Sequence, residues 1–346
     1  MSSVARKLGS RMSRRRFLST ITAGTAGMAW LASGKAPAFA QRKSFAGRFG
    51  TVLSATSPNS IAGKFFVDEA NKRSQGGFQL QFFPDAQIGA SRDLLEGVQL
   101  GTIQFAEVST ANVTPFLADT MVFDLPYVFT NQPQLLKFLD GPLGSQRLAI
   151  ERFGTINMRG LCWFDTGTRK IYNSKRPIAT PADLKGMKIR VEENPVRVAS
   201  FNAMGAQATA MSFNQVYGAL QQGVVEGAEN SDLTYMTNRH YEVAPYLSST
   251  DHFITPNCIV VSTAFFNGLP KELQAVLLEV GKDTGTFERK IWAESGAKLV
   301  AEMKAAGVKI NESDKKAFKA MVGKLQEEYA QKIPKDWWDA VMKAAA

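Results

Sequence analysis

The sequence predicts an α/β protein built as two lobes. Strand-like and helix-like segments alternate from Gln41 onward, the pattern of a mixed α/β chain. The 346 residues suffice for two cores at about 100 to 200 residues per domain. No low-complexity linker and no internal repeat divides the chain, so two lobes joined by several crossings fit better than two separate beads. A composition of 45% hydrophobic and 21% charged residues excludes a disordered tail, a disulfide scaffold and a collagen-like fibre.

In chain order, residues 49–55 form a short apolar run that ends in Ser-Pro turn chemistry. Ile61, Phe65, Phe66 and Ala70 fall on one face of a helix, and Phe78, Leu80 and Phe82 alternate with Gln79 and Gln81 as a strand does. A second helix is expected over 91–100 and a strand over 103–108. Cys162, in Gly160-Leu161-Cys162-Trp163-Phe164, and Cys258, in Asn257-Cys258-Ile259-Val260-Val261, lie in runs that look like buried strands. Thr180-Pro181-Ala182-Asp183 supplies an N-cap, a proline at the first helical position and an acidic third residue, which start a short helix. Gly186 ends it, and 188–191 return as a strand. Ser212-Phe213-Asn214-Gln215 repeats the capping pattern before a helix over 216–222. From 271 to about 306 a helical pattern runs unusually long, with Gly281 and Gly285 as expected bends.

A net charge of +10 would by itself suggest a nucleic-acid or anionic-membrane partner. The excess is concentrated at the front. Residues 1–40 carry Arg6, Lys7, Arg11, Arg14, Arg15, Arg16 and Lys35 and no acidic group. A basic head ending in Ser13-Arg14-Arg15-Arg16-Phe17-Leu18 is followed by a weakly apolar stretch over 21–32 and by Ala38-Phe39-Ala40. That order is a cleavable export signal, because the apolar part is far short of the ~20 residues of a spanning helix. The paired arginines before Phe-Leu resemble a twin-arginine signal, which exports folded proteins. Cleavage is expected after Ala40. Subtracting those seven from 41 basic groups leaves 34 against 31 acidic ones, a net charge of +3, and the nucleic-acid partner drops out. No later apolar run approaches membrane-spanning length.

Enzyme templates are absent: no Gly-x-Ser-x-Gly elbow, no phosphate loop, no His-Glu-x-x-His and no Gly-x-Gly-x-x-Gly after a strand. His240 and His252 are the only histidines and have no cysteine pair nearby, so neither a metal nor a cofactor is expected. An oxidising compartment permits a Cys162–Cys258 bridge, yet buried free cysteine is common and spacing alone does not establish one.

Polar groups cluster at element ends between 165 and 232: Asp165-Thr166-Gly167-Thr168-Arg169-Lys170, Arg190 inside an apolar strand, and Gly227-Ala228-Glu229-Asn230-Ser231-Asp232. Here the chain resembles the solute-binding proteins of tripartite ATP-independent periplasmic (TRAP) transporters, the DctP family. The resemblance covers nearly all of the mature chain. It rests on 83–89 (Phe-Pro-Asp-Ala-Gln-Ile-Gly), 97–102 and 123–129, and most specifically on 181–191 (Pro-Ala-Asp-Leu-Lys-Gly-Met-Lys-Ile-Arg-Val) and 216–230.

The resemblance implies two α/β lobes joined by crossing strands, braced by a long bent helix, with a cleft that closes over an organic anion. One lobe would be 43–166 plus 255–294, the other 167–254 plus 295–346. It implies that Arg190 holds the ligand carboxylate, that Arg169 assists and that Asn230 hydrogen-bonds the same end. A guanidinium suits that task as a planar, permanently charged fork of donors. Ser91, Asn214 and Asp232 complete the candidate ligand-binding set.

Duller roles remain open. Arg190 could pair with Glu192 or Glu193, Arg169 could be a solvated loop residue, and Asn230 and Ser91 could cap helices. Phe213, Tyr217, Trp163 and Phe164 read as core rather than ligand-stacking. The chain departs from relatives where specificity is set: Ser91 stands where many carry Glu, Asn214-Gln215 where Glu is common, and Ser231 where Pro is frequent. These changes remove negative charge and argue against a copy of the sialic-acid or dicarboxylate sites. The expected ligand is a small carboxylate, a sugar acid ahead of a 2-oxo or dicarboxylic acid, delivered to the membrane subunits of a TRAP permease by a monomeric binding protein. A periplasmic enzyme acting on an organic acid and a ligand-sensing subunit of a signalling receptor are the competing classes.

Overall fold

Eleven strands among the described residues form two sheets, and the chain passes between them twice by strand-to-strand crossings. The computed structural model describes residues 44–129 and 131–345; the candidate export signal and its cleavage point lie outside the described residues. In chain order the strands are β1 (Phe45–Gly50), β2 (Phe78–Phe83), β3 (Phe105–Ser109), β4 (Met158–Phe164), β5 (Thr168–Asn173), β6 (Lys188–Val191), β7 (Gln207–Ala210), β8 (Gly227–Ser231), β9 (Tyr246–Ile254), β10 (Asn257–Ser262) and β11 (Lys309–Glu312). The first sheet runs β2-β1-β3-β10-β4 and the second β11-β9-β5-β8-β6-β7. β4 leads into β5 through Asp165-Thr166-Gly167, and β9 returns into β10 through Thr255-Pro256. The Thr166 hydroxyl donates to the Thr255 carbonyl, so the two crossings are tied to each other.

The expected two-sheet α/β class holds, and the differences from the sequence expectation have local causes. The first strand begins and ends earlier than 49–55, because Thr51 already turns away to bond Glu107. In the helix Pro58–Arg73 the buried face is Ala62, Phe66, Val67 and Ala70, while Ile61 is 44% exposed. Phe65 leaves that face to stack on Phe287 of the long helix, ring centroids 4.5 Å apart. β2 follows its alternation, with Phe78 and Leu80 buried and Gln79 and Gln81 exposed. The Thr180 box forms: Asp183 Oδ2 accepts the Thr180 backbone N–H at 2.8 Å.

The long helix is Lys271–Ala305. Leu277 and Val280 enter the core shared by the first sheet and the helix Pro58–Arg73, whereas Trp292, Leu299 and Met303 enter a core of the second sheet. One helix therefore spans both halves. Gly281 and Gly285 serve its approach to β4: a Cβ at Gly281 would sit 3.1 Å from the Leu161 carbonyl oxygen, and one at Gly285 3.3 Å from Cys162 Cβ. The last helix, Lys335–Ala345, buries Trp337 and Val341 in the core on the other face of the first sheet. Cys162 pairs with Ile259 and Cys258 with Trp163 in the β4–β10 register. That one-residue offset sends the two side chains to opposite faces, and both thiols are free. No helix among the described residues is long and apolar enough to cross a membrane.

Candidate functional site

A cavity of about 40 Å³ lies between the two sheets. The second-sheet side contributes Arg169, Glu192, Phe213, Asn230 and Thr234, the first-sheet side Ser91, Glu107, Ser109, Asn112 and Asn257 with Asn59 beside them, and the crossing between β4 and β5 Thr166. That volume admits only a few waters.

The second-sheet wall is densely charged. Antiparallel pairing of β5 and β8 sets Arg169 opposite Ser231, which brings Glu229 within reach although it is 60 positions away in sequence. Arg169 Nη2 donates to Glu229 Oε1 at 2.9 Å and to the Glu229 carbonyl at 3.1 Å, and Nε donates to Oε2. Glu192 Oε2 lies 3.4 Å from Arg169 Nη2. Arg197, fully buried, sits 3.8 Å over the Phe253 ring and donates through Nε to Asp124 Oδ1 at 3.0 Å. Its Nη1 is 3.9 Å from Glu229 Oε2. Burial would raise the Glu229 carboxyl, but Arg169, the neighbouring His252 and Arg197 outweigh it and hold it well below the usual carboxylate range. Burial also lowers His252. Asp124 and Asn194, whose Nδ2 donates to Asp124 Oδ2 at 2.7 Å, join the Leu117–Leu125 region to the second sheet.

Arg190 differs from its neighbours. It lies in β6, paired in register with Ala228 and Thr209, and is 2% exposed. Nε donates to the Met211 carbonyl at 2.8 Å, and the guanidinium carbon lies 5.8 Å from the centroid of Phe213. Nη1 is buried without a hydrogen-bond partner, and Arg190 forms no ion pair among the described residues. Burial works against its charge, opposed by Glu192. On its other side, His240 hydrogen-bonds the Tyr172 hydroxyl through Nδ1 at 2.7 Å; burial, helped by Arg190, pushes this imidazole down to about 3, so it stays neutral.

The first-sheet wall carries amides, hydroxyls and one carboxyl. Glu107, 3% exposed, accepts from Thr51 Oγ1 at 2.6 Å and from Asn257 Nδ2 at 2.6 Å. Burial raises its carboxyl, and those donors with Asn59 only oppose the rise. No group of three His, Cys, Asp or Glu able to hold a metal occurs among the described residues.

Of the six candidate residues, Ser91, Arg169 and Asn230 line the cavity; Arg190 is not in the lining and approaches it through the Phe213 ring, 5.8 Å from its guanidinium carbon. Asn214 and Asp232 lie outside the lining: Asn214 accepts from the Ser212 hydroxyl at 2.8 Å, and Asp232 pairs with Lys170. Arg169 is a buried strand residue, not a solvated loop residue, and Arg190 does not pair with Glu192 or Glu193. The helix Ser91–Leu100 is capped at Ala90, whose N–H donates to Asp93 Oδ2 at 2.9 Å, so Ser91 is free of capping. Ser231 caps the helix Asp232–Thr237, which relieves Asn230 of that role. Trp163 and Phe164 are core, and Tyr217 donates to Glu242 at 2.8 Å. Phe213, expected in the core, packs against the second-sheet core and also lines the cavity. Glu107 was missed, although a charged residue inside the apolar run 103–108 is the same signal that marks Arg190.

A family model described as bacterial extracellular solute-binding protein, family 7 (DctP) matches residues 49–332. The 2,3-diketo-L-gulonate-binding periplasmic protein YiaO of Escherichia coli is 33% identical over 291 residues, 83% of this chain and 88% of its own. A TRAP periplasmic solute binding protein from Sulfitobacter sp. NAS-14.1, solved with bound β-D-galacturonate, has a TM-score of 0.82 at 32% identity over 87% of this chain and 99% of that one. The sugar acid binding protein DctPAm from Advenella mimigardefordensis, in complex with galactonate, has a TM-score of 0.84 at 30% identity over 88% and 98%. With the family model spanning most of the chain and both sheets shared with these receptors, the chain is a periplasmic TRAP solute-binding protein rather than an enzyme, and it belongs to the DctP group, family 7 of the bacterial extracellular solute-binding proteins.

Proposed function

We propose that the protein captures a sugar acid between its two sheets and presents it to the membrane subunits of a TRAP permease for ion-gradient-driven uptake. The observation that carries this is Arg190, a buried guanidinium with an unpartnered Nη1, 5.8 Å from the ring of Phe213, which lines the polar cavity. An arriving carboxylate supplies the missing acceptor, and each charge-assisted bond contributes about 1.5 to 3 kcal/mol. Arg169, already engaged by Glu229, adds positive potential and a fixed surface, and Asn230 offers an amide beside it. Relatives support the ligand class, since 2,3-diketo-L-gulonate, galacturonate and galactonate are all hydroxylated carboxylates.

The moving parts in this reading are lobes 43–166 plus 255–294 and 167–254 plus 295–346. They hinge at the two crossings, and the last helix returns to the first-sheet core as a tether. With the carboxylate held on the second sheet, contacts of the rest of the ligand with the first-sheet wall, made only with the sheets together, favour the closed form, which the permease recognises. The twin-arginine-like signal would deliver the folded protein to the periplasm. Mass measurement of the exported chain is expected to place its first residue at Gln41, and any other start breaks the assigned cleavage.

The deciding test is calorimetric titration of protein freed of ligand by unfolding and refolding. Galactonate or galacturonate is expected to bind, and Arg190→Ala to weaken that binding at least ~10-fold while the melting transition persists. Near-normal affinity in the variant removes Arg190 from its role; silence of the native protein towards every sugar acid removes the ligand class.

A further inference from the structure

The cavity is electrically lopsided, and this bears on which acids it accepts. Its one lining arginine among the described residues, Arg169, stands on the second-sheet side. Among the lining residues of the first-sheet side there is no lysine or arginine: the polar groups there are Ser91, Glu107, Ser109, Asn112 and Asn257, with Asn59. Glu107 is the one ionisable group in that half. It is held from three directions, by β3, by Thr51 after β1 and by Asn257 at the start of β10, so its carboxyl cannot swing away. Both oxygens already accept a hydrogen bond, and each has a second lone pair to offer. Glu107 forms no ion pair among the described residues.

We infer that Glu107 sets specificity for the end of the ligand remote from Arg190, accepting hydrogen bonds from its hydroxyl groups and excluding acids that carry a second carboxylate there. The inference rests on the sugar-acid reading above and deepens it. A hydroxyl donates to the Glu107 carboxylate and accepts from the neighbouring amides, so a polyol end satisfies the wall. A second carboxylate has no proton to give. Against the ionised form of Glu107 it would lie buried beside a like charge, with no lysine or arginine among the first-sheet lining residues to balance it. Discrimination comes from that repulsive element as much as from the attractive one.

Galactonate and galactarate test this, because they differ only in carrying a hydroxymethyl or a carboxylate at the far end. Titrations at pH 8 keep the acids ionised. Native protein is expected to bind galactonate at least ~100-fold more tightly than galactarate, and Glu107→Gln to shrink that ratio at least ~10-fold by weakening galactonate and admitting galactarate. Should Glu107→Gln fail to show a cooperative melting transition, Glu107→Asp serves: withdrawn by one methylene but still charged, it is expected to weaken galactonate at least ~5-fold and still reject galactarate. Equal affinities in native protein, an unchanged ratio in Glu107→Gln, or undiminished galactonate binding in Glu107→Asp overturns the role of Glu107 while leaving the sugar-acid reading standing. Failure of native protein to bind either acid overturns that reading and this inference with it.

Discussion

The two walls of the cavity keep buried polar groups in different ways. At and behind the second-sheet wall, Arg169, Glu192, Arg197 and Glu229, with Asp124 from the Leu117–Leu125 region, form ion pairs within a region almost closed to water. On the first-sheet wall, Glu107 has only neutral donors, Thr51 and Asn257. Ion pairs of buried groups recover by mutual attraction what desolvation costs, and they hold only while every partner is present. Neutral networks are less demanding and leave lone pairs free for a ligand. The charged wall is thus a prebuilt socket whose geometry is fixed before ligand arrives, with Arg190 left incomplete in it, and the neutral wall is the adaptable side. Opposite pKa directions express the same contrast: Glu229 is held well below its ordinary range, Glu107 is pushed above it.

The largest effect should come from breaking the charged wall. Glu229→Ala leaves Arg169 buried without its main partner and is expected to cost about 3 to 5 kcal/mol of stability at neutral pH, read from urea unfolding. The sign of its pH dependence follows from the depressed carboxyl. Stability from an acid held below its unfolded value is complete above about pH 4.5 and is lost as pH falls through the folded value. The gap between native and variant proteins should therefore be constant near neutrality and narrow only in acid. A cost under about 1 kcal/mol, or a gap that widens in acid, would mean that the two walls do not differ in this way.

Much of this arrangement was legible in the sequence, and what was missed was missed for a reason. The capping box at Thr180 and Asp183, the alternation of β2 and the long helix are local patterns, decided by residues a few positions apart. Arg190 stood out because a charge inside an apolar strand is costly unless used. Arg169 was found, but its partner was not: Glu229 meets it only through the β5–β8 register, which no local pattern specifies. Ile61 was placed on the buried face of its helix on hydrophobicity alone, whereas the packed face is the one with small residues, Ala62 and Ala70, beneath Phe66. Asp232 and Asn214 lie within two positions of wall residues in sequence, yet they pair with Lys170 and Ser212 and are not in the lining.

The smallest effect sharpens the comparison from the neutral side. Ser91 was open to two roles, a helix cap or a cavity residue, and only the cap role carries stability. The cap position belongs to Ala90, with Asp93 closing the turn at 2.9 Å, while Ser91 is 6% exposed and faces the cavity. Ser91→Ala should therefore change unfolding stability by less than about 0.5 kcal/mol, against the ~1 kcal/mol typical of a lost serine cap. A stability loss of cap size would restore the structural role and remove Ser91 from the wall's polar set. With stability unchanged, any weakening of galactonate binding in this variant, followed by calorimetry, reports a hydroxyl of the neutral wall acting on the ligand alone.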